Sequence, residues 1–326
     1  MKRIMAVAAV AAVLALAACS SSGSDSGSGS TTSNKATVYA AVTADNGNAL
    51  AAAFHAKFPN ESISVVASGT GALVTRMETE NKAGGVRADA LLLADPTVMP
   101  QLASDGILSS YLPAAASQLP ATEQGTGWFA PFNFNNVIIY KTGTTPIPKD
   151  WADLTNPAYK GKIEIGDPSY SGTTLAMAAE VPQLAGANFF AGLKANDVKI
   201  VQSTNTVGND VASGARPIGI TLDSVYRPLQ AKGSPVQIVW PSSGTIPVPA
   251  TAGLIKGHDS SKVAKDFLDW LLSSDGQQEL VKLGYAPVLD DTSGAVPADA
   301  KVVSVPYQNL VSQRDSILSA FTQVFG

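Results

Sequence analysis

From residue 36 onward, short β-forming runs alternate with segments whose apolar residues recur at helical spacing, and this alternation most constrains the fold. The predicted order is strand, helix, strand, helix, strand over residues 36–42, 46–58, 63–66, 72–81 and 88–93. In the first helix, Leu50, Phe54 and Phe58 recur every four residues, which gives that helix one apolar face. The last of these strands is largely apolar, as in a sheet covered on both faces. The pattern predicts an α/β fold with a doubly wound, largely parallel sheet.

The rest of the chain continues this alternation. Further strands are predicted at 136–140, 162–165, 198–201, 218–222 and 237–239, and helices at 174–182, 186–195, 209–213, 261–273, 275–282 and 307–325. Val263, Phe267 and Leu271 share one face, so we expect that helix to dock on a core. At about 150 residues per domain, 326 residues suggest two domains.

Composition excludes several classes of function. A single cysteine excludes an internal disulfide framework and a thiolate-rich metal site, and two histidines leave little for histidine-based chemistry. A net charge of −4 argues against a nucleic-acid partner. The chain has no Gly-x-Ser-x-Gly, Ser-x-x-Lys, Walker A or His-Glu-x-x-His motif, so we expect no enzyme activity and no cofactor.

The N-terminal segment predicts export from the cytoplasm. Lys2 and Arg3 precede an apolar run over 4–18, which is shorter than the roughly 20 residues of a membrane-spanning helix. This pattern predicts that residues 1–18 are a signal peptide. The sequence around Cys19 resembles the lipobox of bacterial lipoproteins, which implies a lipid-modified Cys19 at the mature N-terminus. The alternative is an ordinary signal peptide followed by a chance cysteine.

Residues 20–35 are nearly all Ser, Gly, Thr, Asp and Asn, a composition typical of a flexible tether. With residue 19 as a lipid anchor, segment 19–35 would hold the folded body close to a membrane. The expected location is therefore extracytoplasmic and membrane-anchored.

Several stretches carry a resemblance that spans almost the whole mature chain. The stretches are Thr37-Val-Tyr-Ala, Ser68-Gly-Thr-Gly, Arg87-Ala-Asp-Ala-Leu, Trp151 to Ile163, Asp167-Pro-Ser-Tyr-Ser-Gly-Thr173, Ala264 to Gln278 and Gly284-Tyr-Ala-Pro-Val288. Their order resembles the type 2 periplasmic-binding-protein superfamily, the solute receptors of bacterial ABC importers. Within it, the chain is most similar to the ferric-iron and 2-aminoethylphosphonate receptor group.

The resemblance implies a two-lobed fold in which each lobe is a largely parallel sheet flanked by helices, with hinge strands between the lobes. The implied boundaries are 36–130 plus 250–286 for lobe 1 and 131–249 plus 287–326 for lobe 2. A solute would bind between the lobes, and a monomeric receptor would then dock on an ABC permease.

Two glycine-containing segments are candidate anion sites. They are Ser68-Gly69-Thr70-Gly71 and Ser171-Gly172-Thr173, each between a strand and a predicted helix. A helix start offers unpaired N–H groups and a partial positive charge, and glycine lets an anion approach the backbone. Together they could hold a phosphate, phosphonate or carboxylate from two sides. The alternative is ordinary N-capping, for which Ser and Thr are preferred without a ligand.

Acidic and aromatic residues near predicted strand ends are further candidates. Asp95 and Asp223 could hold an ammonium group or a hydroxyl, as could Asp45. Tyr226 could line the cleft, and so could Tyr39, Phe132 and Tyr170. The alternative assigns the aspartates to capping and the aromatic residues to the core.

Ferric iron is the alternative ligand. The resemblance aligns the tyrosine pair of iron receptors with Asp223 and Ser224, their histidine with Thr43 and their acidic residue with Ala94. Few hard anionic ligands for iron are left at these positions. The resemblance therefore implies no metal site. His55 and His258 are interpreted as solvated surface residues. The sequence therefore favours a small phosphonate or phosphate ester, for example 2-aminoethylphosphonate, with iron as the alternative ligand and a secreted enzyme as the less favoured class.

Overall fold

The computed structural model describes residues 33–289 and 296–326; the predicted signal peptide, Cys19 and tether residues 20–32 lie outside this range. Eleven strands form one sheet. They are β1 (Lys35–Ala40), β2 (Ser62–Ala67), β3 (Ala90–Leu93), β4 (Gln124–Gly125), β5 (Trp128–Lys141), β6 (Ile163–Gly166), β7 (Lys199–Val201), β8 (Ile218–Leu222), β9 (Val236–Val239), β10 (Ile246–Leu254) and β11 (Ala286–Pro287).

Ten α-helices flank the sheet within the described residues. They are α1 (Ala44–Lys57), α2 (Thr70–Lys82), α3 (Met99–Ser104), α4 (Gly172–Ala185), α5 (Phe189–Ala195), α6 (Thr204–Ser213), α7 (Asp223–Ala231), α8 (Lys262–Leu271), α9 (Ser274–Lys282) and α10 (Tyr307–Phe325). In the part of the chain that the structure describes, none of these helices is long and apolar enough to cross a membrane.

The sheet consists of two parallel groups joined by antiparallel strands. Its order is β2-β1-β3-β10-β5-β8-β6-β7, and β4, β9 and β11 also pair with β5. Strand β1 runs parallel to β2 and β3, which form the first half-sheet. Strand β6 runs parallel to β7 and β8, which form the second half-sheet. Strands β5 and β10 are antiparallel to their neighbours and link the halves. The two-lobed α/β fold expected from the sequence is confirmed.

Strand β10 and the first half of β5 were not predicted from the sequence. Pro247 and Pro249 lie within β10, and proline cannot donate a ladder hydrogen bond. Both prolines lie where β10 is in register with β5, whereas its register with β3 covers only 251–254. A missing N–H is therefore tolerated on the side that has no β3 partner.

The core lies between the sheet and its helices, and the predicted docking face of α8 is buried there. Val263, Phe267 and Leu271 are all buried. The Phe267 ring meets the ring of Phe54 on α1 edge-on, with centroids 5.6 Å apart. The closing helix therefore attaches to the first half-sheet, as its apolar spacing predicted.

The C-terminal helix α10 contacts elements of both halves. Its Phe321 ring packs edge-on against Phe190 of α5, with centroids 5.4 Å apart. Helix α10 also contacts α4 and the short 3₁₀ turn Pro96–Val98 that follows β3. The lobe boundaries derived from the resemblance place this helix in the second lobe, and those boundaries stay a prediction.

Candidate functional site

Three helices begin at one small cavity between the two half-sheets. Helix α2 follows β2, α4 follows β6 and α6 follows β7. The cavity has a volume of about 30 Å³ and is called the helix-start cavity below. It is lined by Ala41, Ser68, Gly69, Thr70, Ala94, Tyr170, Ser171, Thr173, Gln202, Ser203, Thr204, Asn205 and Leu222. Several of these directly follow parallel strands, at the edge where open α/β sheets bind ligands.

The start of α2 has no side-chain cap. Gly69 occupies the N-cap position with an extended backbone, so no side chain bonds the first N–H groups of the helix. The N–H of Gly71 instead donates across the cleft to the carbonyl of Tyr170 at 3.1 Å. A Cβ added to Gly69 would meet no protein atom within 4 Å. Gly69 and Thr70 of this uncapped helix start line the cavity.

The start of α4 is capped by its own serine. The Oγ of Ser171 accepts from the N–H of Thr174 at 3.3 Å and lies 3.0 Å from the Oγ1 of Thr173. The next residue, Gly172, faces Asp95, which follows β3. A Cβ at Gly172 would lie 2.1 Å from the Cβ of Asp95, a distance no real contact reaches. Only glycine lets these two segments approach this closely.

The third helix start was missed by the sequence analysis, which began this helix at residue 209. The Oγ of Ser203 accepts from the N–H of Asn205 at 3.1 Å and caps α6. The Nδ2 of Asn205 lies 3.5 Å from the carbonyl of Val42 in the first half. The run Gln202-Ser203-Thr204-Asn205 directly follows the predicted strand 198–201 and is rich in hydroxyl and amide side chains, and that signal could have revealed it.

Asp95 is nearly inaccessible and fully bonded. It is 2% exposed, and its Oδ1 accepts from the N–H and the hydroxyl of Thr97 at 2.9 and 2.6 Å. Its Oδ2 accepts from the Nη1 of Arg314 at 2.9 Å. Asp95 does not line the helix-start cavity, and neither do Gly71 and Gly172. These three residues line a neighbouring cavity instead.

Asp223 and Tyr226 lie away from the lining of both cavities. Asp223 is completely buried, and it accepts from the N–H and Nδ2 of Asn135 at 3.1 and 2.9 Å. Burial raises the pKa of Asp223 to about 6, while the Asn135 hydrogen bonds and the charge of Arg227 act in the opposite direction. Tyr226 packs against an apolar cluster of the second half-sheet. A role for these two residues in binding stays a prediction.

The remaining aromatic and acidic candidates divide by exposure. Tyr170 is 48% exposed and borders both cavities, whereas Tyr39 and Phe132 are buried in the core. The carboxylate of Asp45 pairs with the Nζ of Lys232 at 2.6 Å on the surface. Ser68, Gly69, Thr70, Ser171 and Thr173 are thus the predicted site residues that the structure brings together at the helix-start cavity.

One histidine interpretation is wrong. His258 is half-buried, with Nδ1 3.0 Å from Asp89 Oδ1 and Nε2 3.0 Å from the carbonyl of Val86. It fixes a loop to the first half-sheet and is not simply solvated. His55 is exposed. Across 33–289 and 296–326, no group of three or more His, Cys, Asp or Glu side chains is arranged to hold a metal ion.

Comparison with known protein families identifies the class to which the chain belongs. The family model described as bacterial extracellular solute-binding protein matches residues 36–286, and the chain belongs to this family. That match covers nine of the eleven described strands completely and all but one residue of β1 and of β11. The resemblance noted in the sequence is thereby confirmed at the level of the family.

Individual relatives are distant. The chain is 26% identical over 302 residues to a Sinorhizobium fredii protein named "Probable ABC transporter periplasmic-binding protein y4fP", covering 82% of this chain and 79% of that one. It is 24% identical over 246 residues to a Salmonella typhimurium protein named "Putative 2-aminoethylphosphonate-binding periplasmic protein", covering 71% of each. An uncharacterized Haemophilus influenzae protein is 32% identical, but over 157 residues that span only 45% of its length.

Solved structures share the fold. The periplasmic binding protein AfuA from Actinobacillus pleuropneumoniae, with exogenous fructose-6-phosphate bound, superposes with a TM-score of 0.76 at 22% identity. The match covers 89% of this chain and 98% of AfuA. At this identity the similarity establishes the architecture alone.

Proposed function

We propose that the protein is the extracytoplasmic receptor of an ABC importer and captures a small phosphate ester or phosphonate at the helix-start cavity. The observation that carries this proposal is the meeting of three helix N-termini, α2, α4 and α6, at one cavity lined by hydroxyl groups. The loaded receptor then delivers the solute to a membrane permease, the role that the type 2 binding-protein resemblance implies.

The chemistry of the cavity matches an oxyanion. Each helix start carries a partial positive charge of roughly half an elementary charge and N–H groups without a partner inside the helix. Hydroxyl donors come from the first half at Ser68 and Thr70, and from the second half at Ser171, Thr173 and Ser203. A tetrahedral phosphorus centre directs its oxygens to several sides at once, so donors from three helices can bind it together.

Two relatives support the chemical class. The Salmonella protein is named for a phosphonate, and AfuA holds a sugar phosphate in its structure. Both ligands carry a phosphorus oxyanion on a small carbon body. They support the headgroup that we propose here, and they differ in everything attached to it.

The donors are unsuited to iron. Ferric iron prefers phenolate and carboxylate oxygens, which are hard anionic ligands. Among the described residues, the lining of the helix-start cavity includes one phenol, Tyr170, and no carboxylate. The alternative of an iron receptor is therefore disfavoured by the residues at this site.

We also propose that a lipidated Cys19 and the tether that follows it hold this receptor at the membrane as a monomer. Mass spectrometry of the processed protein tests the anchor. A mature N-terminus at Cys19 carrying a diacylglycerol mass supports it, and cleavage elsewhere contradicts it.

Calorimetric titration of the purified protein in phosphate-free buffer tests the ligand class. The probes are inorganic phosphate, methylphosphonate, 2-aminoethylphosphonate and ferric citrate. We expect saturable binding of at least one phosphorus anion, with about 2.7 kcal/mol of stabilisation at 100 times its Kd. Binding of ferric citrate with no response to any phosphorus anion would overturn the proposal.

A further inference from the structure

A second cavity adjoins the helix-start cavity and shares Thr70 and Tyr170 with it. Its volume is about 160 Å³, and it is called the Arg314 cavity below. Its lining includes Thr75, Asp95, Ser169, Gly172 and Arg314. Both half-sheets and the C-terminal helix contribute to this lining.

The two cavities differ in what they can hold. A water molecule needs roughly 10–15 Å³ of cavity volume. The helix-start cavity, at about 30 Å³, therefore has room for about two water-sized groups. That space takes about two oxygens of a phosphorus headgroup, so the rest of the headgroup and the carbon body need the adjoining cavity. The Arg314 cavity has room for on the order of ten such groups. A solute bound by its headgroup at the helix starts would place its body there.

Arg314 supplies the only cationic side chain on the lining of either cavity, as far as the described residues show. Its Nη1 donates to Asp95 Oδ2 at 2.9 Å and to Thr97 Oγ1 at 2.8 Å, and its side chain is 28% exposed. A guanidinium has five N–H donors, and these two bonds use only Nη1. Among residues 33–289 and 296–326, its Nε and Nη2 have no partner. Three donors are thus left for oxygen acceptors.

No carboxylate in this cavity is free to receive an amine. Asp95 already accepts three hydrogen bonds and is 2% exposed. A solute ammonium group would therefore meet the like charge of Arg314 without a free counter-charge, which is unfavourable. The hydroxyls of Thr75 and Ser169 add groups that pair well with solute oxygens.

We infer that Arg314 selects the body of the solute, and that the protein takes phosphate esters whose carbon body carries hydroxyl groups in preference to those carrying an amine. This inference rests on the proposed function, because it assumes that the phosphorus headgroup lies at the helix starts. It narrows the ligand class and moves it away from 2-aminoethylphosphonate, the example that the sequence suggested.

Three phosphate esters with the same headgroup test the inference: ethyl phosphate, 2-hydroxyethyl phosphate and 2-aminoethyl phosphate. We expect the hydroxyl ester to bind the wild-type protein at least tenfold more tightly than the amine ester. In Arg314→Gln, this ratio should fall below threefold. Arg87→Gln is the matched control, because Arg87 is exposed beyond the far end of α2, and it should keep the tenfold ratio.

The outcomes separate the two proposals. If none of the three esters binds, and inorganic phosphate and methylphosphonate do not bind either, the proposed function fails. If only a phosphonate binds, the inference about Arg314 fails alone. If ethyl phosphate binds but the amine ester binds as tightly as the hydroxyl ester, the inference about Arg314 fails alone. Because Arg314→Gln leaves Asp95 without its partner, the double variant Asp95→Asn/Arg314→Gln is measured in parallel. A ratio that stays tenfold in both folded variants also overturns the inference.

Discussion

The three helix starts at the cavity are built in two different ways. In the second half-sheet, Ser171 and Ser203 each accept a hydrogen bond from the backbone of their own helix, α4 and α6. In the first half-sheet, Gly69 has no side chain with which to do this. The N–H of Gly71 at that helix start finds its acceptor across the cleft, on Tyr170.

This difference shows which helix start depends on closure of the cleft. The serine caps of α4 and α6 lie within the second half, so each keeps its one hydrogen bond whether the halves are together or apart. The start of α2 loses the acceptor for Gly71 when the halves separate, and its N–H groups then become available to an anion. Ordinary N-capping, the alternative reading of all three segments, accounts for Ser171 and Ser203 but leaves α2 unexplained.

The largest effect is expected from Gly172→Val, which breaks the approach of the two halves. A side chain at this position collides with Asp95, since even a Cβ would lie 2.1 Å from the Asp95 Cβ. We expect solute affinity to fall more than 100-fold, as measured by calorimetry with whichever phosphorus anion binds the wild type. The thermal stability of the ligand-free protein should change much less, because an open arrangement avoids the collision.

The matched control for that variant is Ala187→Val, which adds similar bulk at an exposed position after the far end of α4. Its affinity should equal that of the wild type. Unchanged affinity in Gly172→Val would show that closure at this point is not needed for binding.

The next largest effect is the pH dependence of stability from the ion pairs that join α6 to β6 and β7. Lys199 on β7 joins Asp210 of α6 at 2.6 Å to the buried Glu164 of β6 at 3.3 Å. Burial raises the pKa of Glu164 to about 7; Lys199 lowers it and Asp210 raises it further. The folded state therefore holds this proton more tightly than the unfolded state, so stability is greatest below the unfolded pKa and is lost as pH rises through about 7.

Denaturant titrations of wild type and Glu164→Gln at pH 5 and pH 8 measure this effect. The wild type should lose about 2 kcal/mol more unfolding free energy between these pH values than the variant does. The burial of Asp223 also raises its pKa, to about 6, and contributes in the same direction in both proteins. Equal losses in both proteins would remove Glu164 from the pH dependence.

The smallest and most discriminating effect compares Gly69→Ala with Ser171→Ala. Ser171→Ala removes a cap and a hydroxyl donor, and it should cost about 1 kcal/mol of stability. Gly69→Ala meets no protein atom within 4 Å, so stability should change by less than about 0.5 kcal/mol. Its Kd should rise about tenfold if the solute contacts this backbone. A loss of stability in Gly69→Ala with none in Ser171→Ala would contradict the division of the helix starts into uncapped and serine-capped ones.

Much of the fold could be predicted from the sequence because strand and helix periodicities were strong where side chains alternate between core and solvent. The prediction failed where local chemistry opposed the fold. The prolines of β10 argue against a strand, and Thr204 to Gly208 are poor helix formers, so α6 was expected to begin too late. In both cases tertiary contacts override the local preference.

The residues of the candidate site also divide into those that local sequence predicts and those that only tertiary contacts bring together. The helix starts of α2 and α4 could be predicted because glycine, serine and threonine cluster where a strand passes into a helix. Arg314 could not, because it lies 219 residues from Asp95 in the chain and no local pattern links them. The burial of Asp223 also depends on distant strands, which a sequence alone does not place.

The position of Tyr170 has a practical consequence. Tyr170 is 48% exposed and lines both cavities. Its backbone carbonyl accepts a hydrogen bond from the N–H of Gly71 in the first half. The chain has a single cysteine, at position 19. A Cys19→Ser/Tyr170→Cys protein would therefore carry one thiol for a fluorescent dye, placed where solute arrival changes the surroundings of the dye. The receptor can thus serve as an optical sensor for its own solute.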